Sequence, residues 1–172
     1  MKICINQGHS TVDCGAVGQT GLTESEVNVR IGELVMYHLQ QCGNFDVLLV
    51  HDDELQGICD ESNQFCAELF VSIHCNAASN DQAKGTETFY GSDERLSQCI
   101  QSQIINSMGT IDRGIKDGNH LYVIKHTDCK AILVECAFIS NSEDECMLAN
   151  ENSRNEFARA IARGITDYIS GN

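Results

Sequence analysis

There is no proline anywhere in this chain. No turn is fixed by a locked φ, so sharp reversals fall to glycine, asparagine and aspartate. Basic residues are scarce: 11 Lys and Arg stand against 25 Asp and Glu, a net charge of −14. A surface of that sign repels phosphate backbones and anionic bilayers, so neither nucleic acid nor a membrane is expected as a partner. No apolar run approaches the roughly 18 residues that suggest a membrane span. No secretory leader is visible, because Met1-Lys2-Ile3-Cys4-Ile5-Asn6-Gln7 turns polar too soon. The chain is therefore expected to be made in the cytoplasm without an export signal of its own. There is also no internal repeat and no low-complexity linker, and 172 residues suit one domain, expected over residues 1–172.

Cysteine, by contrast, is plentiful, with ten in the chain. An even count suggests a disulfide framework in a short secreted protein. Here no leader is expected and there is no Cys-x-x-Cys pair, so reduced and mostly buried thiols are expected, each acting as a small hydrophobe. Apolar residues make up 42% of the chain, enough to argue against disorder.

Periodicity switches between strand and helix along the sequence. Lys2 to Asn6 reads as a short buried strand. Thr23 to Gln41 reads as an amphipathic helix with Val27, Ile31, Leu34, Val35 and Leu39 on one face. Thr23 and Glu26 form a capping-box pattern at its start and Gly43 ends it. Phe45–Val50 reads as strand, Leu55–Glu68 as helix, Leu69–His74 and Gly85–Tyr90 as strands, and Arg95–Met108 as helix. Leu121–Ile124 and Ala131–Cys136 read as further strands. A closing helix over Asn155–Ile169 is predicted from Phe157, Ile161, Ile165 and Ile169, with Ser153 and Glu156 as a second capping box. Alternating strands and helices predict an α/β fold: a single twisted, mostly parallel (mixed) sheet of about six strands with helices on both faces. Leu69–His74 and Gly85–Tyr90 lie too close for a crossover helix, so one antiparallel or irregular pairing is expected.

In such sheets, ligands bind at the carboxyl ends of strands. His9 follows the first strand, His74 ends Phe70-Val71-Ser72-Ile73, and Glu135 ends Ala131-Ile132-Leu133-Val134. Glu24 lies in the first turn of the first helix. A lone histidine after a strand is usually structural, and a glutamate at a helix start usually serves the macrodipole. His74 and Glu135 demand more, since each terminates an apolar strand. A carboxylate there costs several kcal/mol of desolvation unless paired or near a metal. Two imidazoles and a carboxylate are the ligand set of many catalytic zinc sites, with a further carboxylate acting on the proton. Spacing alone leaves this open, because no short motif such as His-Glu-x-x-His joins them.

The local words go further. They run Gly8-His9-Ser10; Asp13-Cys14-Gly15-Ala16; Gly21-Leu22-Thr23-Glu24 with Asn28; Ser72-Ile73-His74-Cys75-Asn76-Ala77; Gly85-Thr86-Glu87; Arg113-Gly114-Ile115-Lys116; and Leu133-Val134-Glu135-Cys136-Ala137-Phe138-Ile139-Ser140-Asn141. In this order the series resembles the zinc-dependent N-acetylmuramoyl-L-alanine amidases of the type-3 family, found in autolysins, spore-cortex enzymes and phage endolysins. The resemblance runs from about Lys2 to Ile169. It implies one Zn²⁺ held by His9, Glu24 and His74, and Glu135 as the catalytic acid/base. It implies peptidoglycan as substrate, cut at the amide between N-acetylmuramic acid and L-alanine, by a wall-degrading enzyme or a domain of a larger one. Glu26 rivals Glu24, but the capping box gives Glu26 a structural job. Asn76 and Arg113 are candidates for binding the peptide stem, with loop structure and a surface ion pair as the plainer readings. A monomer is expected. The alternatives are another zinc peptidase or deacetylase, and an inactive peptidoglycan-binding module.

The chain also departs from the family pattern. Gln7, Cys14, Lys130 and Ser142 stand where proline is common, and no arginine lies near Ile58 or Cys59. Cys75 and Cys136 follow site residues directly, so strand alternation predicts that both thiols point away from the metal into packing. Cys14 is expected near the site without ligating.

Overall fold

A computed structural model describes residues 1–171. In chain order the elements are β1 (Lys2–Gln7), α1 (Glu24–Cys42), β2 (Asp46–Val50), α2 (Leu55–Phe65), β3 (Leu69–Asn76), β4 (Thr86–Tyr90), α3 (Glu94–Met108), β5 (Asp112–Asp117), α4 (Tyr122–His126), β6 (Lys130–Phe138), α5 (Ser142–Ala149) and α6 (Glu151–Ser170). One six-stranded sheet has the order β2-β1-β3-β6-β4-β5. Every pairing is parallel except β4 with β6.

Strand alternation sorts the side chains into two cores. Ile3 and Ile5 of β1, Leu69, Val71, Ile73 and Cys75 of β3, and Ile132, Val134 and Cys136 of β6 pack on the side covered by α1, α3 and α6. Cys4, Phe70, Ala131 and Leu133 point the other way, toward Ile58 and Cys59 of α2 and Val123 and Ile124 of α4. This is the three-layer architecture that near-continuous apolar strands require. Cys75 and Cys136 thus lie in the first core, and all ten cysteines are free thiols, but against expectation only Cys4, Cys59, Cys75 and Cys136 are buried. The positions where an arginine was missed, Ile58 and Cys59, are buried in the second core.

Three expectations need correction. Leu121–Ile124 is not a strand: Tyr122–His126 forms the short helix α4, whose Val123 and Ile124 are buried against the second core. Four apolar residues cannot distinguish a strand from a buried helical turn. The sixth strand is instead β5, Asp112-Arg113-Gly114-Ile115-Lys116-Asp117, an edge strand too polar to register as one. The proposed Ser153/Glu156 capping box does not form either. α6 begins at Glu151, and Asn150 caps it by accepting from the Ser153 amide. α5 occupies a stretch left unassigned. Finally, the expected antiparallel pairing is present, but β4 makes it with β6, which lies between β3 and β4.

At α1, Thr23 accepts from the Glu26 amide at 3.3 Å. The Glu26 carboxylate, however, meets Arg154 Nη2 at 3.2 Å, so half of the capping box is present. Among the described residues, no helix is long and apolar enough to cross a membrane.

Candidate metal centre

β1, β3 and β6 run side by side in one direction, so their carboxyl ends share an edge. His9 lies just past β1. Its backbone takes a left-handed φ of 65°, uncommon outside glycine. Gly8, before it, must be a glycine: a Cβ there would fall 2.3 Å from the His74 ring. The loop is braced by Ser10 Oγ, which donates to Asp53 Oδ2, and by the Ser10 amide on Asp13 O at 2.9 Å.

Glu24 is carried to the same edge by the entry into α1. Its amide donates to Ala16 O at 2.9 Å, and the Ser25 amide to Cys14 O at 3.1 Å. The Glu24 side chain is 5% exposed. Oε1 lies 2.9 Å from His74 Nδ1 and accepts from the Cys75 amide at 3.1 Å. Oε2 lies 3.3 Å from His9 Nε2 and accepts from the Ala16 amide at 3.0 Å. Asn28 Nδ2 ties the assembly together, donating to Gly8 O at 3.0 Å and Glu24 Oε1 at 3.4 Å. Burial by itself would push the Glu24 carboxyl up, but the bonds from His74, His9 and Ala16 outweigh it and hold it well below the usual carboxylate range. The same carboxylate raises His9.

His9, Glu24 and His74 each offer one ligand atom, and these atoms all lie within 4.8 Å of one another. Two imidazoles aimed at one buried carboxylate are a donor set in which a dication can take the place of the shared protons. Glu26 is exposed and bound to Arg154, away from this cluster.

Glu135 is the register partner of His74 across β3 and β6. Its Oε2 is buried and has no hydrogen-bond partner among the described residues. Burial, together with the negative charge of Glu24 and Glu87, pushes its carboxyl up to about 8. A carboxylate with one buried, unpartnered oxygen beside a cluster able to hold a cation is a feature that calls for a functional reason.

Asn76 and Arg113 both bind one residue that the sequence reading left without a role. Glu87 accepts from Asn76 Nδ2 at 2.9 Å, Arg113 Nε at 2.7 Å and Lys116 Nζ at 2.6 Å. It is 4% exposed. Burial would raise its carboxyl, but Lys116 and Arg113 hold it below the ordinary range. Because β4 runs antiparallel to β6, the amino end of β4 reaches the site edge, and Glu87 stands opposite Glu135. The signal was available, since Glu87 interrupts a strand of Thr, Phe and Tyr much as Glu135 follows a run of Ile, Leu and Val. Cys14 makes a weak contact to Gly15 O and is not one of the three clustered residues. His38 instead bonds Asn155 Oδ1 at 2.9 Å.

Known proteins match the chain over nearly its whole length. The family model described as N-acetylmuramoyl-L-alanine amidase matches residues 3–167. The N-acetylmuramoyl-L-alanine amidase LytC of Bacillus subtilis is 35% identical over 96% of this chain, which spans 35% of LytC's own length. The solved N-acetylmuramoyl-L-alanine amidase AmiC2 of Nostoc punctiforme has 32% identity and a TM-score of 0.94, covering 99% of this chain and 97% of that one. The catalytic domain of CwlV, an amidase of the same name from Bacillus (Paenibacillus) polymyxa, has 32% identity and a TM-score of 0.92, with 99% of each chain covered. With its fold, its clustered site-edge residues and a family match over residues 3–167, the chain belongs to the N-acetylmuramoyl-L-alanine amidase family.

Proposed function

We propose that this chain is a zinc-dependent amidase that hydrolyses the bond between N-acetylmuramic acid and the L-alanine of the stem peptide in peptidoglycan, degrading the bacterial wall. The observation that carries the reading is the pairing of the His9–Glu24–His74 cluster with the orphaned carboxylate of Glu135. His9, Glu24 and His74 would hold the ion. A zinc ion there would supply Lewis acidity toward the scissile carbonyl and make a water molecule a better nucleophile at neutral pH.

The chain's own residues do the rest. Glu135 takes the proton from the attacking water and returns it to the alanine nitrogen as the amide breaks. The ionised form of Glu135, the form that accepts the proton, would be favoured by a dication held by the three residues. Glu24 stays ionised, and Asn28 and the Cys75 amide fix its orientation. Glu87 is a positioning residue that holds Arg113 and Lys116 beside Glu135, where they can meet a carboxylate on the peptide. Asn76 orients Glu87 and borders the same region.

The test is digestion of intact peptidoglycan by the zinc-loaded protein, with mass analysis of the products. Stem peptides with a new free L-alanine amine are expected. Release of terminal D-alanine would point to a peptidase and release of acetate to a deacetylase; either would overturn the assignment.

A further inference from the structure

A cavity of about 340 Å³ opens beside His9 and His74, on the side of the sheet covered by α2 and α4. Ile58 and Leu133 line it, both buried. Leu55 and Tyr122 also line it, 49% and 36% exposed. The Tyr122 ring is held in place, with its hydroxyl on Gln56 Oε1 and its centroid 4.2 Å from that of the tilted His126 ring. The lip carries Asp13, Asp52 and Asp53. Part of that carboxylate capacity is used locally: Asp52 Oδ1 accepts from the Glu54 amide, and Asp53 Oδ2 from Ser10 and Asp13.

The opposite flank of the catalytic groups has the reverse polarity. There Arg113 and Lys116 stand around Glu87, their side chains 35% and 39% exposed. A substrate crossing this edge therefore meets an apolar cleft with an acceptor-rich acidic lip on one side and two cations on the other.

We propose that the cleft is the sugar subsite: the N-acetylmuramoyl ring lies against Tyr122 and Leu55, and the stem peptide leaves across Arg113 and Lys116. This rests on the amidase reading above. In the substrate the lactyl carboxyl is tied up in the scissile amide, so the sugar half is neutral and carries only hydroxyl and acetamido groups. A ring with apolar C–H faces and hydroxyl donors suits an aromatic and aliphatic wall under a lip of acceptors. The acidic residue of a stem peptide does not suit it, because its carboxylate would face three aspartates. The cleft's size is within the range of small-ligand sites, and its continuity with His9 and His74 places the sugar's lactyl arm at the proposed ligands.

The test compares two synthetic substrates on the zinc-loaded protein: N-acetylmuramoyl-L-alanyl-D-glutamate and its sugar-free counterpart, D-lactoyl-L-alanyl-D-glutamate. The unaltered protein is expected to prefer the sugar-bearing substrate. Tyr122→Ala and Leu55→Asp are each expected to cut that preference by about tenfold, the scale of one lost aromatic or apolar contact, mainly through KM. The kcat/KM for the lactoyl peptide should be unchanged. Asp52→Asn provides a third variant at the lip if a wall substitution fails to fold. The subsite is overturned if the variants slow both substrates in equal proportion, or if they alter discrimination between peptides with and without a basic side chain. If the unaltered protein cleaves neither substrate nor intact peptidoglycan, the amidase reading itself falls; cleavage of both at equal rates removes only the sugar subsite.

Discussion

Glu87 and Glu135 stand directly opposite each other on the antiparallel β4–β6 ladder. Like charges in that position repel, yet the two carboxylates differ in their surroundings. Glu87 has Arg113 at 2.7 Å and Lys116 at 2.6 Å and is held ionised. Glu135 has a buried, unpartnered oxygen and is raised to about 8. One geometry thus divides two identical groups into an ionised anchor and a carboxyl whose protonated form is favoured in the metal-free chain.

Replacing Glu135 should separate chemistry from assembly. Glu135→Gln is expected to bind zinc as the unaltered protein does and to lose activity by about 10²–10⁴-fold, the scale of a positioned general acid/base. Metal content and amide cleavage measured on the same preparation check it. Near-normal wall lysis by this variant would remove Glu135 from the mechanism.

Glu135 also gives the metal-free protein a characteristic pH dependence. Its carboxyl goes from an ordinary 4.5 to about 8 on folding. Between those values the folded chain keeps a proton that the unfolded chain has released, so this group's contribution to stability falls as pH rises through that window. His9, raised by Glu24, acts in the same direction above 6.5. Denaturant melts of metal-free protein from pH 5 to 8 should show declining stability, by an amount on the order of a few kcal/mol. Glu135→Gln should flatten most of that slope, and an unchanged slope would count against the raised carboxyl.

Removing the anchor should act on both stability and order. Glu87→Ala leaves Asn76, Arg113 and Lys116 without their common acceptor. A fully buried pair broken in this way costs about 3–5 kcal/mol. Here the two cations are partly solvated, so about 2 kcal/mol is the expected loss, read as a lowered urea midpoint. Glu87→Gln, which still accepts hydrogen bonds, should recover part of it.

Gly8 guards the His74 ring. Gly8→Ala puts a methyl 2.3 Å from that ring, so His74 or the backbone must move. Metal affinity is expected to fall at least tenfold while the core helices keep their stability, because ligand displacements of this kind act on the site first. Competition with a chromogenic chelator measures it. An unchanged affinity would show that His74 has room the structure does not give it.

Binding of the ion should stabilise the fold, since the three proposed ligands come from the loop after β1, from α1 and from β3. Saturating zinc at about 100 times its dissociation constant is expected to add about 2.7 kcal/mol, seen as a rise in Tm that a chelator reverses. Glu24→Ala should abolish that rise, and a zinc-dependent shift that survives in this variant would place the metal elsewhere.

Much of this was legible in the sequence. The α1 stripe Val27, Ile31, Val35 and Leu39 follows from side-chain period, because burial forces apolar residues onto one helix face, and the near-continuous apolar runs that lead up to His74 and Glu135 mark strands buried on both faces. The polar residues at the ends of those runs marked the site edge, since charge beside an apolar run needs a partner. Only the tertiary structure decided the rest. The reversal of β4 brings Glu87 to Glu135, and the placement of polar β5 at the sheet edge brings Arg113 and Lys116 to Glu87. Strand direction and edge position depend on long-range pairing, which leaves no local period for Thr86–Tyr90 or Asp112–Asp117 to display. α4 reads as a strand for the same reason: the packing of Val123 and Ile124 against the α2 core, rather than their own propensity, sets their conformation.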